Sequence, residues 1–223
     1  IVQANTYIAT VLGITENNAT PVFVEPDEYF NIDANKIEQA ITDKTKAIMV
    51  THLYGQASEM TRIVNIATKH HLQVIEDCAQ SHGACFAGKM TGTFGISGCF
   101  SFYPTKNLGA FGDAGAVVTD DETFAEKLRM MRNYGSKIKY HNEIAGINSR
   151  LDEMQAALLR VKLSHLQALN DERKMLAQRY NEGIKNPIVW LPKVREDAES
   201  IYHQYVVKCM SRDFLQESLE QSG

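Results

Sequence analysis

Short apolar runs alternate with amphipathic segments through the first half of this chain, and this alternation restricts the fold more than any other feature. The runs are rich in β-branched residues and occupy residues 21–24, 47–51, 73–75, 98–102 and 115–119. Between them, Asp33 is a good N-cap for one helix and Ser58 begins another. The residues expected on the inner faces of these helices are Ile37, Ala40, Ile41, Ile63, Ile66 and Ala67. Such alternation predicts right-handed βαβ units, and therefore an α/β fold with a mainly parallel sheet.

Composition excludes several classes of protein. The chain has 223 residues, of which 44% are apolar and 22% are charged, so a disordered chain is excluded. A formal net charge of −4 gives no indication of a nucleic-acid or anionic-membrane partner, and no apolar stretch approaches the ~20 residues that span a bilayer. The four cysteines form no metal-ligand cluster. We therefore predict a cytoplasmic protein with reduced thiols and no bound metal.

The pattern becomes mainly helical after residue 119. The predicted elements are a helix at 121–132, a polar loop at 133–149, a long helix at 150–184, a strand at 204–209 and a last helix from about Asp213. The residues expected to face the core are Phe124, Leu128 and Met131 in the first helix, and Leu151, Met154, Leu158 and Val161 in the long one. A long helix can bridge two lobes, so we predict a large domain at 1–163 and a second domain from 164 to 223.

Two polar residues follow predicted strands, at the edge where ligands of parallel sheets bind. Asp77 follows the run at 73–75, although an acid there also serves as a helix cap or as a surface loop residue. Lys106 follows the run at 98–102 in an apolar loop with several glycines. Such surroundings lower the pKa of a lysine and make its amine a nucleophile, but a loop lysine can equally extend into solvent.

A glycine-lysine loop suggests a different class of protein. The letters GACFAGKM at 83–90 almost match the phosphate-binding loop of nucleotide hydrolases, GxxxxGK[ST]. Met90 stands where that loop needs a hydroxyl to hold magnesium. A nucleotide hydrolase is therefore kept as a weaker alternative.

Asp77 and Lys106 together suggest pyridoxal 5'-phosphate (PLP) chemistry. This cofactor needs an amine for its covalent attachment and an anion beside its pyridine nitrogen. It also needs hydroxyl or amide donors for its phosphate, and Ser101 is a candidate.

Four motifs, in this order, closely resemble the DegT/DnrJ/StrS family of nucleotide-sugar aminotransferases. They are VIEDCAQSHG at 74–83, SFYPTKNLG at 101–109, GDAG at 112–115 and GINSRLDEMQAA at 146–157. The resemblance runs from Asn5 to Asp213. It implies the aspartate aminotransferase fold, fold type I, with a three-layer α/β/α large domain followed by the start of a small C-terminal α/β domain.

The resemblance implies a role for each matching residue around the cofactor. Lys106 would bind PLP covalently and carry the proton between substrate and cofactor. Asp77 would pair with the pyridine nitrogen, and Gln80 would hydrogen-bond the phenolic oxygen. Ser101 would bind the phosphate, and Tyr7 would stack on the pyridine ring.

Other implied contacts come from a neighbouring subunit of a homodimer with shared active sites. Asn148 matches an asparagine that reaches the phosphate across the dimer. The loop NYGSKIKYHN at 133–142 most resembles enzymes that aminate dTDP-linked 3-keto-6-deoxyhexoses, in which positions like Lys139 and Tyr140 contact the nucleotide diphosphate. Tyr103 would lie near the sugar. A solvated loop lysine remains the alternative for Lys139.

The resemblance therefore predicts a PLP-dependent aminotransferase that moves an amino group from L-glutamate to a nucleotide-linked keto-sugar. Some relatives are sugar dehydratases with His in place of this lysine, so Lys106 favours transamination. A 4-keto-sugar aminotransferase and a truncated, non-catalytic PLP-fold protein are the alternatives.

Family members carry a phosphate-binding helix N-terminus ahead of the position of Ile1, and they continue beyond the position of Gly223. We therefore expect these 223 residues to be the interior of a longer chain. Taken alone, they would be poorly stable and inactive.

Overall fold

A six-stranded sheet forms the centre of the computed structural model, which describes all 223 residues. The strands of the whole chain are β1 (Val2–Gln3), β2 (Phe23–Val24), β3 (Ala47–Thr51), β4 (Gln73–Asp77), β5 (Cys85–Phe86), β6 (Lys89–Met90), β7 (Ser97–Ser101), β8 (Gly115–Val118), β9 (Ser136–Ile138), β10 (His141–Asn142), β11 (Val189–Trp190), β12 (Ala198–Glu199) and β13 (Lys208–Cys209). The helices are α1 (Ile8–Thr15), α2 (Ala34–Ile37), α3 (Met60–Lys69), α4 (Glu122–Met131), α5 (Glu153–Gly183) and α6 (Arg212–Ser222), with 3₁₀ turns at Glu38–Ala40 and Leu53–Gly55.

The central sheet is mainly parallel, as the alternating pattern predicts. Its order is β2-β1-β3-β4-β7-β8, and only the β7–β8 pair is antiparallel. All parallel strands therefore end at one edge, where side chains distant in sequence come together. The small strands form three separate sheets, β9–β10, β11–β13 and β12–β5–β6.

The main hydrophobic core lies between one face of this sheet and helix α3. Alternate residues of β3 and β4 point to this face, and Ile48, Val50 and Val74 are buried there. Helix α3 packs Met60, Ile63, Ile66 and Ala67 against them, as its periodicity predicts for the last three. Each large side chain buried in this way contributes about 1.5–3 kcal/mol.

Helix caps are partly as predicted. Asp33 accepts a hydrogen bond from the Asn35 N–H and caps α2. The prediction for Ser58 is wrong, because its hydroxyl donates to the Thr51 carbonyl and the α3 cap falls at Glu59. The strand predicted at 204–209 is reduced to β13.

The predicted inner faces of the two later helices are largely exposed. In α4, Phe124 and Leu128 are half-buried, but Met131 is exposed. In α5, Met154, Leu158 and Val161 are exposed, and the buried residues are Leu159, Asn170 and Ala177. Helix α5 runs unbroken through residue 164, and the division of the chain there stays a prediction.

Candidate active site

A cavity of about 630 Å³ opens at the carboxyl ends of three adjacent strands. Most of the strand residues that line it alternate along each strand, and these are Met49 and Thr51 from β3, Ile75 and Asp77 from β4, and Cys99 and Ser101 from β7. The intervening residues Glu76 and Phe100 also border the cavity. The parallel register aligns Thr51 with Asp77, and Asp77 with Cys99. The cavity therefore follows from strand alternation and sheet order, which is where the sequence predicts a ligand.

Lys106 reaches this cavity from the loop that follows β7. The loop turns at Tyr103, whose carbonyl accepts a hydrogen bond from the Lys106 N–H over 2.9 Å. A Cβ at Gly109 would lie 2.4 Å from the Pro104 carbonyl oxygen, so only glycine permits this close return of the chain. Burial lowers the pKa of the Lys106 amine, and the negative charge of Asp77 only partly opposes that shift. The loop thus presents a lysine that loses its proton more readily than a solvated one.

Asp77 is held in place by hydroxyl and amide donors. Its Oδ2 accepts a hydrogen bond from the Thr10 hydroxyl over 2.6 Å, and its Oδ1 accepts one from the Ala79 N–H over 3.0 Å. The Thr10 hydroxyl lies 2.7 Å from that of Thr6, which in turn lies 2.9 Å from that of Thr51. This chain of three hydroxyls joins α1 to the sheet and fixes the orientation of the carboxylate.

Gln80 lines the cavity with a defined orientation. Its side-chain oxygen accepts a hydrogen bond from the Tyr54 N–H over 2.7 Å. Tyr54 has a left-handed backbone with a φ of 58°, and that conformation directs its N–H toward Gln80. With its oxygen engaged, Gln80 offers its amide NH₂ to a ligand as a donor.

Three further predicted residues also line the cavity. Ser101 accepts a hydrogen bond at Oγ from the Tyr103 N–H over 3.3 Å, which leaves the Ser101 hydroxyl proton free to donate. Tyr103 itself is exposed at the cavity mouth. Tyr7 occupies the N-cap position of α1 without a capping hydrogen bond from its side chain, and 72% of its surface is exposed. The structure therefore brings together six predicted residues, which are Tyr7, Asp77, Gln80, Ser101, Tyr103 and Lys106.

The other three predicted residues lie outside this cavity. Lys139 and Tyr140 occupy the turn between β9 and β10, where the Lys139 ammonium lies 5.0 Å from the centre of the Tyr140 ring. Asn148 is exposed and accepts a hydrogen bond from Arg150. None of the three lines the cavity of its own chain.

A buried cluster of His52, Glu76 and Cys78 has the residue types of a metal site, but its geometry is structural. Each oxygen of Glu76 already accepts two hydrogen bonds, from the donors His52 Nε2 and the N–H groups of Gly92, Phe94 and Gly95. His52 accepts a hydrogen bond from the Ser58 N–H at its other ring nitrogen. We therefore assign this cluster a structural role, in which Glu76 holds the backbone of the 92–95 turn.

The segment that resembles a phosphate-binding loop forms a β-hairpin. Strands β5 and β6 pair in antiparallel fashion, and Ala87 and Gly88 make the turn with positive φ angles. Lys89 lies over the Phe94 ring at 4.9 Å. A phosphate-binding loop connects a strand to a helix, so the structure does not support the nucleotide hydrolase.

The sequence alone missed the threonines around Asp77. Thr10 and Thr6 are one helical turn apart and flank the predicted Tyr7, which was the available indication. Their partner Thr51 is 45 residues from Thr6, and no local pattern reveals that contact.

Comparison with known proteins agrees with this geometry. A sequence model of the DegT/DnrJ/EryC1/StrS aminotransferase family matches residues 1–223. The dTDP-3-amino-3,6-dideoxy-alpha-D-galactopyranose transaminase of Aneurinibacillus thermoaerophilus is 53% identical over 97% of this chain and 60% of its own length. The dTDP-3-amino-3,4,6-trideoxy-alpha-D-glucose transaminase of Streptomyces venezuelae is 46% identical over 100% of this chain and 59% of its own length.

A solved structure is similarly close. The crystal structure of S. venezuelae DesV in complex with a ketimine intermediate superimposes with a TM-score of 0.96 and 45% identity, over 99% of this chain and 61% of that one. The chain thus spans about 60% of the length of the relatives it matches. None of the helices combines the length and apolar character needed to cross a membrane.

Proposed function

Because the chain belongs to the DegT/DnrJ/EryC1/StrS aminotransferase family, with its fold type I architecture, we propose that it transfers an amino group from L-glutamate to a nucleotide-linked keto-sugar with PLP as cofactor. A dTDP-linked 3-keto-6-deoxyhexose is the favoured acceptor. The observation that carries this proposal is the meeting of Lys106, Asp77, Gln80 and Ser101 in one cavity.

The residues around the cavity fit PLP by the chemistry of their side chains. Lys106 supplies an amine for covalent attachment, and Asp77 supplies a fixed anion for the pyridine nitrogen. Gln80 can donate to the phenolic oxygen, Ser101 to the phosphate, and Tyr7 offers a ring for stacking. When bound, PLP supplies an electron sink for the carbon that gains or loses a proton.

Lys106 has two tasks in this proposal. Its amine must be neutral to attack an aldehyde, and burial in the loop favours the neutral form. The same Nζ atom then carries the proton to and from the substrate carbon, as a general acid and base. Asp77, held by Thr10 and the Ala79 N–H, would keep a proton on the pyridine nitrogen of the bound cofactor.

The choice of sugar rests on the relatives. The A. thermoaerophilus and S. venezuelae proteins are named for dTDP-3-amino sugars. Tyr103 stands at the cavity mouth, where it can contact a sugar ring. A 4-keto-sugar remains the alternative acceptor, and a direct comparison of the two substrates decides between them.

A homodimer with shared active sites is part of the proposal. Several apolar side chains expose between 67% and 84% of their surface, among them Phe111, Tyr140, Ile147 and Met154. Exposure on this scale favours a protein partner. Asn148, Lys139 and Tyr140, which lie outside the cavity of their own chain, would then serve the neighbouring site. Mixed Lys106→Ala and Asn148→Ala subunits should regain part of the activity that each lacks alone.

The proposed function is tested with Lys106→Ala in the full-length protein. We expect the visible absorbance of covalently held PLP to disappear, together with turnover of glutamate and the keto-sugar. Lys89→Ala is the matched control, because Lys89 is an exposed lysine on β6, outside the site. A Lys106→Ala protein that still transaminated would overturn the assignment, as would a parent protein that binds no PLP. The cytoplasmic location stays a prediction.

A further inference from the structure

Helix α5 carries three polar side chains on one face, about two turns apart. Each makes a hydrogen bond to the segment that follows Lys106. The three contacts are Gln155 Oε1 accepting from the Phe111 N–H over 2.9 Å, Lys162 Nζ donating to the Gly109 carbonyl over 2.5 Å, and Asn170 Oδ1 accepting from the Asn107 side-chain amide over 2.9 Å. The helix and the segment therefore run in opposite directions along a line of three polar contacts.

Apolar contacts alternate with these polar ones. Leu108 and Ala110 are buried and form a small core with Leu159 of α5. Apolar packing of this kind is non-directional and tolerates sliding of the segment along the helix. Hydrogen bonds at the intervening residues fix the register, because each donor and acceptor has one partner position.

Asn170 extends the contact to the loop that follows β4. Only 1% of its surface is exposed, and its side-chain amide donates to the His82 carbonyl over 2.8 Å. His82 lies two residues after Gln80, and Asn107 follows Lys106 directly. Asn170 thus holds the two loops that carry the predicted site residues at a fixed separation.

We propose that Gln155, Lys162 and Asn170 form a clamp on α5 that positions Lys106 for its reaction with the cofactor. The clamp residues do not line the cavity, so they act through the backbone of residues 107–111 and are positioning residues. The inference rests on the proposed function, since it concerns the reactivity of Lys106 toward PLP.

The test compares two variants at each of two clamp positions in the full-length protein. Lys162→Met keeps the apolar stem and removes the donor to Gly109, whereas Lys162→Arg keeps a cationic donor. Gln155→Leu removes the acceptor for the Phe111 N–H, whereas Gln155→Glu keeps a carboxyl oxygen there. Gln155 is half-buried and makes one hydrogen bond, so its variants provide the test if Lys162→Met fails to fold.

The measurement is made on full-length protein from which the bound cofactor has been removed, and it is the rate at which added PLP labels Lys106, trapped with borohydride and read by peptide mass spectrometry. Exposed Lys44 and Lys89 serve as references in the same digest. We expect Lys162→Met and Gln155→Leu to lower Lys106 labelling about tenfold, because small displacements of a reacting group are costly. The Arg and Glu variants should restore it, and the loss in turnover should fall on kcat rather than on KM for the sugar.

The outcomes separate the clamp from the proposed function. If PLP does not label Lys106 of the parent protein in preference to the reference lysines, the proposed function fails. If the parent is labelled selectively but folded Lys162→Met and Gln155→Leu proteins are labelled at the parental rate, the clamp is disproved. Equal losses in the Met and Arg variants, or in the Leu and Glu variants, would also contradict it, because they would indicate general disturbance rather than a lost hydrogen bond.

Discussion

Strand β4 ends with two adjacent carboxylates, Glu76 and Asp77, which face opposite sides of the central sheet. On the core side, the Glu76 side chain is fully buried, and its two oxygens accept four hydrogen bonds. On the cavity side, Asp77 is half-buried and accepts two, from Thr10 and the Ala79 N–H. All hydrogen-bond acceptor sites of the Glu76 carboxylate are thus filled, whereas the Asp77 carboxylate keeps some of its acceptor sites for a ligand.

The number of hydrogen-bond donors around each carboxylate distinguishes the structural acid from the candidate functional one. Burial alone would raise the pKa of Glu76, but the His52 side chain and the N–H groups of Gly92 and Gly95 outweigh it and lower that pKa. Glu76 is therefore a stable anion with no remaining acceptor site. Asp77 combines a fixed orientation with an open edge, which is what a site that binds a cation or an N–H donor needs.

Asp77→Asn changes the carboxylate on the cavity side. An amide keeps the size of the side chain but cannot hold a proton on the cofactor nitrogen as an anion does. We expect kcat to fall about 10³-fold, in line with the loss of one preorganised electrostatic contact, while the free energy of unfolding changes little. Steady-state kinetics and urea unfolding of the same preparation check both parts. Near-parental turnover in Asp77→Asn would remove Asp77 from the site.

Glu76→Gln is the matched change on the core side. Glutamine offers one oxygen in place of two and adds an NH₂ group among N–H donors, so buried donors lose their partners. We expect unfolding free energy to fall by about 3 kcal/mol, measured by urea denaturation. At a temperature where the variant is folded, its kcat should stay within a few-fold of the parent. A large loss of kcat without loss of stability would mean that Glu76 also serves the reaction.

Acid sensitivity should come from the histidines before it comes from Glu76. Burial, reinforced by the Lys106 charge and opposed by the Ser101 carbonyl, lowers the pKa of His82 to about 4. An unfolded histidine binds its proton below about 6.5, so between that pH and 4 the unfolded state binds more protons and stability falls as pH falls. For His82 alone this loss is about 2 kcal/mol at pH 5 relative to neutral pH.

His82→Gln tests the contribution of His82 to this loss of stability in acid, with unfolding free energies measured at pH 7.5 and pH 5. The variant should lose less stability than the parent between the two values. His203, whose pKa burial also lowers to about 4, keeps part of the slope in the variant. An unchanged slope in His82→Gln would show that another group controls the acid response.

Much of the fold follows from the sequence because strands of a buried parallel sheet carry a strong local pattern. The run at 47–51 coincides with β3, and the run at 73–75 needs only two more residues to become β4. The buried residues of α5 could not be predicted from the sequence in the same way. Its apolar stripe at Met154, Leu158 and Val161 is exposed, because periodicity identifies an apolar face but not what covers it.

The residues of the candidate site could likewise be predicted only in part. Asp77 and Lys106 were recognisable because their residue types follow strands and fit one cofactor. The sequence could not say which of Glu76 and Asp77 faces the cavity from residue type alone, since strand register decides it. The hydroxyl donor that orients Asp77 could not be predicted from the sequence either, because Thr10 is 67 residues away in the chain.

The smallest effect we predict is that of Thr10→Val, which removes the hydroxyl that donates to Asp77 Oδ2 but keeps the shape of the side chain. Asp77 then keeps only the Ala79 N–H, so its carboxylate is less firmly oriented. One hydrogen bond to a carboxylate is worth about 1.5 kcal/mol, so we expect a roughly tenfold fall in kcat. Thr10→Ser keeps the hydroxyl and should restore most of the rate. If Val and Ser variants are equally slow, helix packing rather than the hydroxyl matters at this position. A tenfold loss specific to Val would instead show that turnover depends on each donor that holds Asp77, whereas the donors around Glu76 serve stability.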